Sequence, residues 1–264
     1  MSAALAKGLR GLRGEQNVSP TAEEAARLLA ARLAEHLRQR LAKVPLAHLA
    51  LSGGSSTQLL GSALATESAL SASEWSRIHV WMVDERCVAD DDPRLNFNLV
   101  RSVLIAHVPL PAGNLHPMPV LAVDGAERYE ALLRAALAAG RGMADHRLDA
   151  VVLGMGPDGH TASLFPETPA LDERERLVVL NDGHRVAAPR PRMTMTYPLL
   201  NRAYLIALLV TGASKSAALA QAAANPSNFV SWPVAGVVPA AGSKLLWFLD
   251  QNAAPQDRVV NGLD

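Results

Sequence analysis

The sequence predicts an α/β fold built on a mostly parallel sheet with helices on both faces. Three observations carry that expectation. Short apolar runs recur at 48–51, 78–83, 148–153, 204–210 and 244–249, too short for helices and rich in Val, Ile and Leu. Segments with helical spacing of apolar residues lie between them. Polar or glycine-bearing motifs follow several of the runs directly, where open parallel sheets place their ligands. The chain has 264 residues, 49% of them apolar and 19% charged, enough to bury a substantial core.

In chain order, residues 1–17 scatter Gly8, Gly11 and Gly14 among basic residues and are expected to form a flexible tail. Residues 18–264 are then a single α/β domain. Ser19-Pro20-Thr21-Ala22-Glu23-Glu24 combines an N-cap residue, a proline in the first turn and early acids. Ala25, Leu28, Leu29, Leu33 and Leu37 continue that helix toward Pro45. Strand 48–51 runs into Ser52-Gly53-Gly54-Ser55-Ser56-Thr57, with a helix from Gln58 to Leu64. Strand 78–83 empties into Asp84-Glu85-Arg86, and helices follow at 96–105 and 126–139. Gly154 stops the third strand. Residues 177–180 form a fourth and 204–210 a fifth, with a helix at 215–224 before the last strand. The proline-rich stretches 109–119 and 189–198 read as loops.

Composition narrows the function classes. The 25 basic and 25 acidic residues cancel, so no global field draws the chain to nucleic acid or to an anionic membrane. The N-terminus meets charge too early for a signal peptide, and no run approaches the roughly 18 apolar residues of a membrane span. Cys87 is the single cysteine, which leaves no internal disulfide and no thiolate metal cluster. No histidines or acids recur at metal-ligand spacing. A reducing, cytoplasmic compartment is expected.

Five motifs carry chemistry. In Ser52-Gly53-Gly54-Ser55-Ser56-Thr57, glycines allow close backbone approach and a following helix aims its amides at an anion. That makes a phosphate cradle, although an ordinary strand-to-helix turn has the same composition. Asp84-Glu85-Arg86 offers an arginine beside two carboxylates, suited to a carbonyl or carboxylate, or else forms a surface ion cluster. Gly154-Met155-Gly156-Pro157-Asp158-Gly159 satisfies the G-x-G-x-x-G fingerprint of dinucleotide folds. The match is a decoy, because it lies in mid-chain and Pro166 and Pro169 cut short any following helix. It does expose His160, whose imidazole class titrates near neutral pH. Arg192, and Lys215 after Val210-Thr211-Gly212, supply separate cations that complement a phosphate cradle.

Together and in this order, these segments resemble the glucosamine-6-phosphate isomerase/6-phosphogluconolactonase superfamily over residues 20–255. The most specific element is Asp158-Gly159-His160-Thr161-Ala162-Ser163-Leu164-Phe165-Pro166. Arg192 with Thr194 and Thr196, Asn201, Gly212 with Lys215, Pro239 and Trp247-Phe248-Leu249-Asp250 fall in family order. The resemblance implies a Rossmann-like sheet, no nucleotide or metal cofactor, and hydrolysis of a sugar-phosphate lactone by a monomer or small homo-oligomer. It gives phosphate binding to Ser52, Gly53, Gly54, Ser55, Ser56, Thr57, Arg192 and Lys215. His160 becomes the general base and Arg86 the oxyanion or carboxylate partner, with Asp84 and Asp158 beside them as further catalytic candidates. Thr57, Ala89 and Leu95 depart from residues usual in the family. A deaminase of glucosamine 6-phosphate is the nearest alternative, but that branch carries a glutamate where this chain has Phe165. A non-catalytic sugar-phosphate sensor would add a DNA-binding domain, for which no basic surplus or helix-turn-helix is found.

Overall fold

The computed structural model describes residues 9–67, 70–139, 147–183 and 185–254. Residues 1–8 of the expected tail and 255–264 of the expected domain lie outside them. The remainder of the tail is not loose. Leu9 is fully buried, and Glu15–Ser19 forms strand β1, paired in parallel with the last strand. Helix α1 (Ala22–Leu41) begins two residues later than the proline pattern suggests. Its N-cap is Thr21, whose hydroxyl accepts the Glu24 amide at 3.2 Å, so Pro20 precedes the helix. Leu29, Leu33 and Leu37 share one face of α1 and are fully buried, each contributing roughly 1.5–3 kcal/mol.

β2 (Ala47–Leu51), α2 (Ser55–Glu67), α3 (Ala72–Trp75), β3 (Ile78–Met82) and β4 (Asp84–Arg86) follow. After them come α4 (Asn96–Val103), β5 (Leu115–His116), α5 (Gly125–Ala138) and β6 (Ala150–Leu153). The chain continues through β7 (Val178–Asn181), β8 (Arg192–Met195), α6 (Tyr197–Leu200), β9 (Leu205–Val210), α7 (Ser216–Ala224) and β10 (Lys244–Asp250).

Among the described residues, seven strands form one parallel sheet in the order β1-β10-β9-β6-β2-β3-β5. The central strands β2, β6 and β9 are buried along their whole lengths, which is why they read as unbroken apolar runs. The strand expected at 177–180 belongs elsewhere. It is β7, in a small antiparallel sheet of order β4-β8-β7. The proline-rich stretches are likewise only partly loop, since 192–195 is β8, 197–200 is α6, and Leu115–His116 pairs with β3. The antiparallel sheet matters for the site. It swings Asp84 and Arg86 past the end of β3 and sets Arg86 directly opposite Arg192.

No helix among the described residues is long and apolar enough to cross a membrane.

Candidate active site

The carboxyl ends of β2, β3 and β6 and the turn after β9 border one cavity of about 360 Å³. The loop residues Ser52, Gly53, Gly54, Ser55 and Ser56 form one wall. Asp84 and Arg86 enter from β4, His160 from the loop after β6, Arg192 from β8, and Lys215 from the turn before α7. Ten of the twelve residues singled out in the sequence therefore border one space.

Thr57 does not. Its buried hydroxyl donates to the Ser52 carbonyl at 2.6 Å, so it closes the turn from within and offers nothing to an anion. Asp158 also lies outside the lining, one layer behind His160. Its Oδ1 meets Nδ1 of the imidazole at 2.5 Å. With Nδ1–H donated to the carboxylate, Nε2 keeps its lone pair. Burial pushes the Asp158 carboxyl up, but the hydrogen bond and charge of His160 together hold it below the ordinary aspartate range. Phe165 supports the ring from another side, centroid to centroid 4.4 Å, and is itself buried.

The glycine fingerprint has local causes unrelated to a nucleotide. A Cβ on Gly156 would stand 2.0 Å from Nδ1 of His160, so the glycine makes room for the dyad. Gly159 has φ of +79° and backs onto Trp232, where a Cβ would come within 2.8 Å of the ring. Gly156 N–H donates to the His160 carbonyl at 2.8 Å and Thr161 Oγ1 to the Gly154 carbonyl at 2.8 Å, curling the loop on itself. No helix opens after Gly159, as a dinucleotide site would require.

On the anion side, α2 starts at Ser55; the Thr57 amide is taken by the Gly54 carbonyl at 3.1 Å, which leaves those of Ser55 and Ser56 without an intrahelical acceptor. Ser52 Oγ and Arg86 Nε are buried without a hydrogen-bond partner among the described residues. Arg192 is aimed by its own loop: Nε donates to the Pro189 carbonyl at 2.6 Å and Nη2 to the Ala187 carbonyl at 3.1 Å. Burial and then the nearby charge of Arg86 pull the Arg192 guanidinium down from its usual range. Burial lowers the Lys215 ammonium too, with Asp158 pulling the other way. Cations crowded and desolvated in this way gain most from a multiply charged anion.

Two polar side chains that the sequence reading left without a role support this arrangement. Ser163 Oγ donates to Asp84 Oδ2 at 2.7 Å inside the core, fixing that carboxylate. Asn96 Nδ2 donates to the Asp84 carbonyl at 3.0 Å, and its Oδ1 lies against Gly53. Ser163 could have been found from its place in the histidine motif. Asn96 shows no local signal beyond starting a helix.

Known proteins resemble this chain in sequence and in fold. Residues 20–247 match the family described as glucosamine-6-phosphate isomerases/6-phosphogluconolactonase. The chain is 40% identical over 210 residues to a 6-phosphogluconolactonase of Synechocystis, covering 78% of this chain and 82% of that protein. It is 41% identical over 214 residues to the human GDH/6PGL endoplasmic bifunctional protein, covering 78% of this chain but only 26% of the relative. The chain thus spans about a quarter of the length of that bifunctional protein. The solved structure of 6-phosphogluconolactonase from Trypanosoma cruzi superposes with a TM-score of 0.77 at 25% identity, covering 91% of this chain and 96% of the other.

Proposed function

The chain belongs to the glucosamine-6-phosphate isomerase/6-phosphogluconolactonase family, and on that premise we propose that it hydrolyses 6-phospho-D-glucono-1,5-lactone to 6-phosphogluconate, in the oxidative pentose phosphate pathway and in the cytoplasm. The observation that carries the reading is one cavity holding an Asp158–His160 dyad at one side and Arg192, Lys215 and the α2 amide loop at the other. A phosphorylated sugar lactone has the matching pair of groups, a carbonyl to be attacked and a dianion to be held.

His160 Nε2 takes a proton from water as the oxygen bonds to the lactone carbonyl carbon. Negative charge gathers on the former carbonyl oxygen, and Arg86 stabilises it. Collapse breaks the bond to the ring oxygen, which leaves with the proton held by the imidazolium. The carboxylic acid product then ionises and releases one proton to solution. Asp158 keeps the imidazole in the tautomer this cycle needs and supports its charged form. The residues 52–56, Arg192 and Lys215 hold the phosphate, fixing the carbonyl relative to His160. Phe165 places an aromatic ring, not a carboxylate, beside the base, which favours hydrolysis over the ring-opening and deamination of the sister branch.

The experiment follows acid release from freshly generated 6-phosphogluconolactone, with spontaneous opening subtracted. The chain should accelerate it, and ammonia release from glucosamine 6-phosphate should stay at background. A rate equal to buffer alone would sink the proposal.

A further inference from the structure

Glu85 sits between Asp84 and Arg86, yet the reaction above uses Arg86 and leaves Glu85 without a role. Strand alternation turns its side chain to the opposite side from theirs. It is absent from the cavity lining and 1% exposed. A carboxylate in such a place is costly unless its oxygens are occupied. They are occupied by backbone. Oε1 accepts the amides of Arg86 and Asn96, both at 2.7 Å, and Oε2 accepts that of Phe97 at 2.8 Å.

The last two amides open α4, whose N-cap is Leu95, a residue with no side-chain acceptor. Glu85 therefore caps a helix that begins eleven positions further along the chain. Two more bonds close the same segment. Asn96 Nδ2 donates to the Asp84 carbonyl at 3.0 Å, and Arg86 Nη1 donates to the Arg94 carbonyl. Arg86 is thus held at its main chain by Glu85 and at its guanidinium by the loop that Glu85 ties down.

We propose that Glu85 is a positioning residue for the reaction: its carboxylate clamps β4 to the start of α4 and thereby holds Arg86 where the lactone carbonyl must lie. The inference rests on the lactonase reading of the site. Burial pushes the Glu85 carboxyl up to about 7, against the three amide bonds that favour its charged form, and Asp84 adds to the rise.

A double-mutant cycle on turnover tests it. Glu85→Gln keeps the size but exchanges one acceptor for a donor, and should lower kcat about tenfold. In an Arg86→Ala background the same change should cost less than about twofold, because the residue it positions is gone. Equal losses in both backgrounds, or wild-type turnover in Glu85→Gln, overturn the proposal. If the glutamine variant does not fold, Glu85→Asp, which keeps the charge but not the reach, goes through the same cycle with the same two readings. A wild-type chain inactive on the lactone would instead defeat the reading of function. The clamp is then judged by amide hydrogen exchange at Arg86, Asn96 and Phe97, which Glu85→Gln should accelerate; unchanged exchange rejects it.

Discussion

At the scale of single residues, the cavity divides its side chains into those that meet the substrate and those that aim them. Asp158 is of the second kind. It contacts Nδ1 of His160 at 2.5 Å and does not border the cavity. Asp158→Asn should therefore lower kcat by about a hundredfold while moving KM by less than about threefold, because an amide lets the imidazole turn or change tautomer. Initial rates of acid release over a range of lactone concentrations separate the two constants. A rise in KM with intact kcat would place Asp158 in substrate binding instead. The sequence reading gave Asp158 and His160 from one short motif, since their contact is local. It misassigned Thr57 for the opposite reason: a hydroxyl in a glycine-rich turn serves a ligand or the turn equally well. The choice rests on the direction of one side chain, which points to the Ser52 carbonyl.

At the scale of elements, the parallel strands were legible and the small antiparallel sheet was not. β2, β6 and β9 are buried on both faces, so their composition alone marks them. β1 is Glu-Gln-Asn-Val-Ser, with no alternation to detect. It is a strand because β10 offers an edge to pair with, in register from Glu15 opposite Leu246 to Ser19 opposite Asp250. β4 has three residues and β8 follows two prolines, so neither carries a pattern of its own. Their pairing nevertheless brings Arg86 opposite Arg192. The junction between the β2–α2 loop and α4 is equally hidden and makes a sharp prediction. A Cβ on Gly53 would stand 1.9 Å from Asn96 Oδ1, and Asn96 is itself buried and tied to the Asp84 carbonyl. Since Asn96 cannot retreat, Gly53→Ala must displace the loop, raising KM for the lactone about tenfold with a smaller effect on kcat. Gly54 makes the control. Nothing lies within 4 Å of a Cβ there, but φ is +94°, so Gly54→Ala should cost about 1–2 kcal/mol of stability through backbone strain. Unchanged KM in Gly53→Ala would show that the loop does not hold the phosphate.

At the scale of the whole molecule, buried titratable groups outside the cavity set how stability responds to acid. Burial lowers His36 of α1 and His79 of β3, and lowers His116 of β5 to about 4, where the charge of His79 also acts. His79 Nδ1 and His116 Nε2 lie 2.8 Å apart, so one shared hydrogen suits the pair and a second proton does not. These folded values are below the unfolded one of about 6.5, so the unfolded chain binds more protons as pH falls. Their contribution is complete above that value and is lost as pH drops toward 4. His116, lowered the furthest of the three, loses the most across that interval. Glu85 opposes it. Its folded value of about 7 exceeds the unfolded one, so protonation of that site stabilises the fold over much of the same interval. One raised carboxyl stands against three lowered histidines and the lowered Asp158 carboxyl, all of which lose stability on acidification. Urea midpoints measured between about pH 7 and pH 4 should therefore fall on acidification. His116→Gln should flatten that dependence whatever it does to stability at neutral pH, and Glu85→Gln should steepen it by removing the opposing site. A pH slope identical in wild type and His116→Gln would show that the histidine pair is not what the fold protects from protonation.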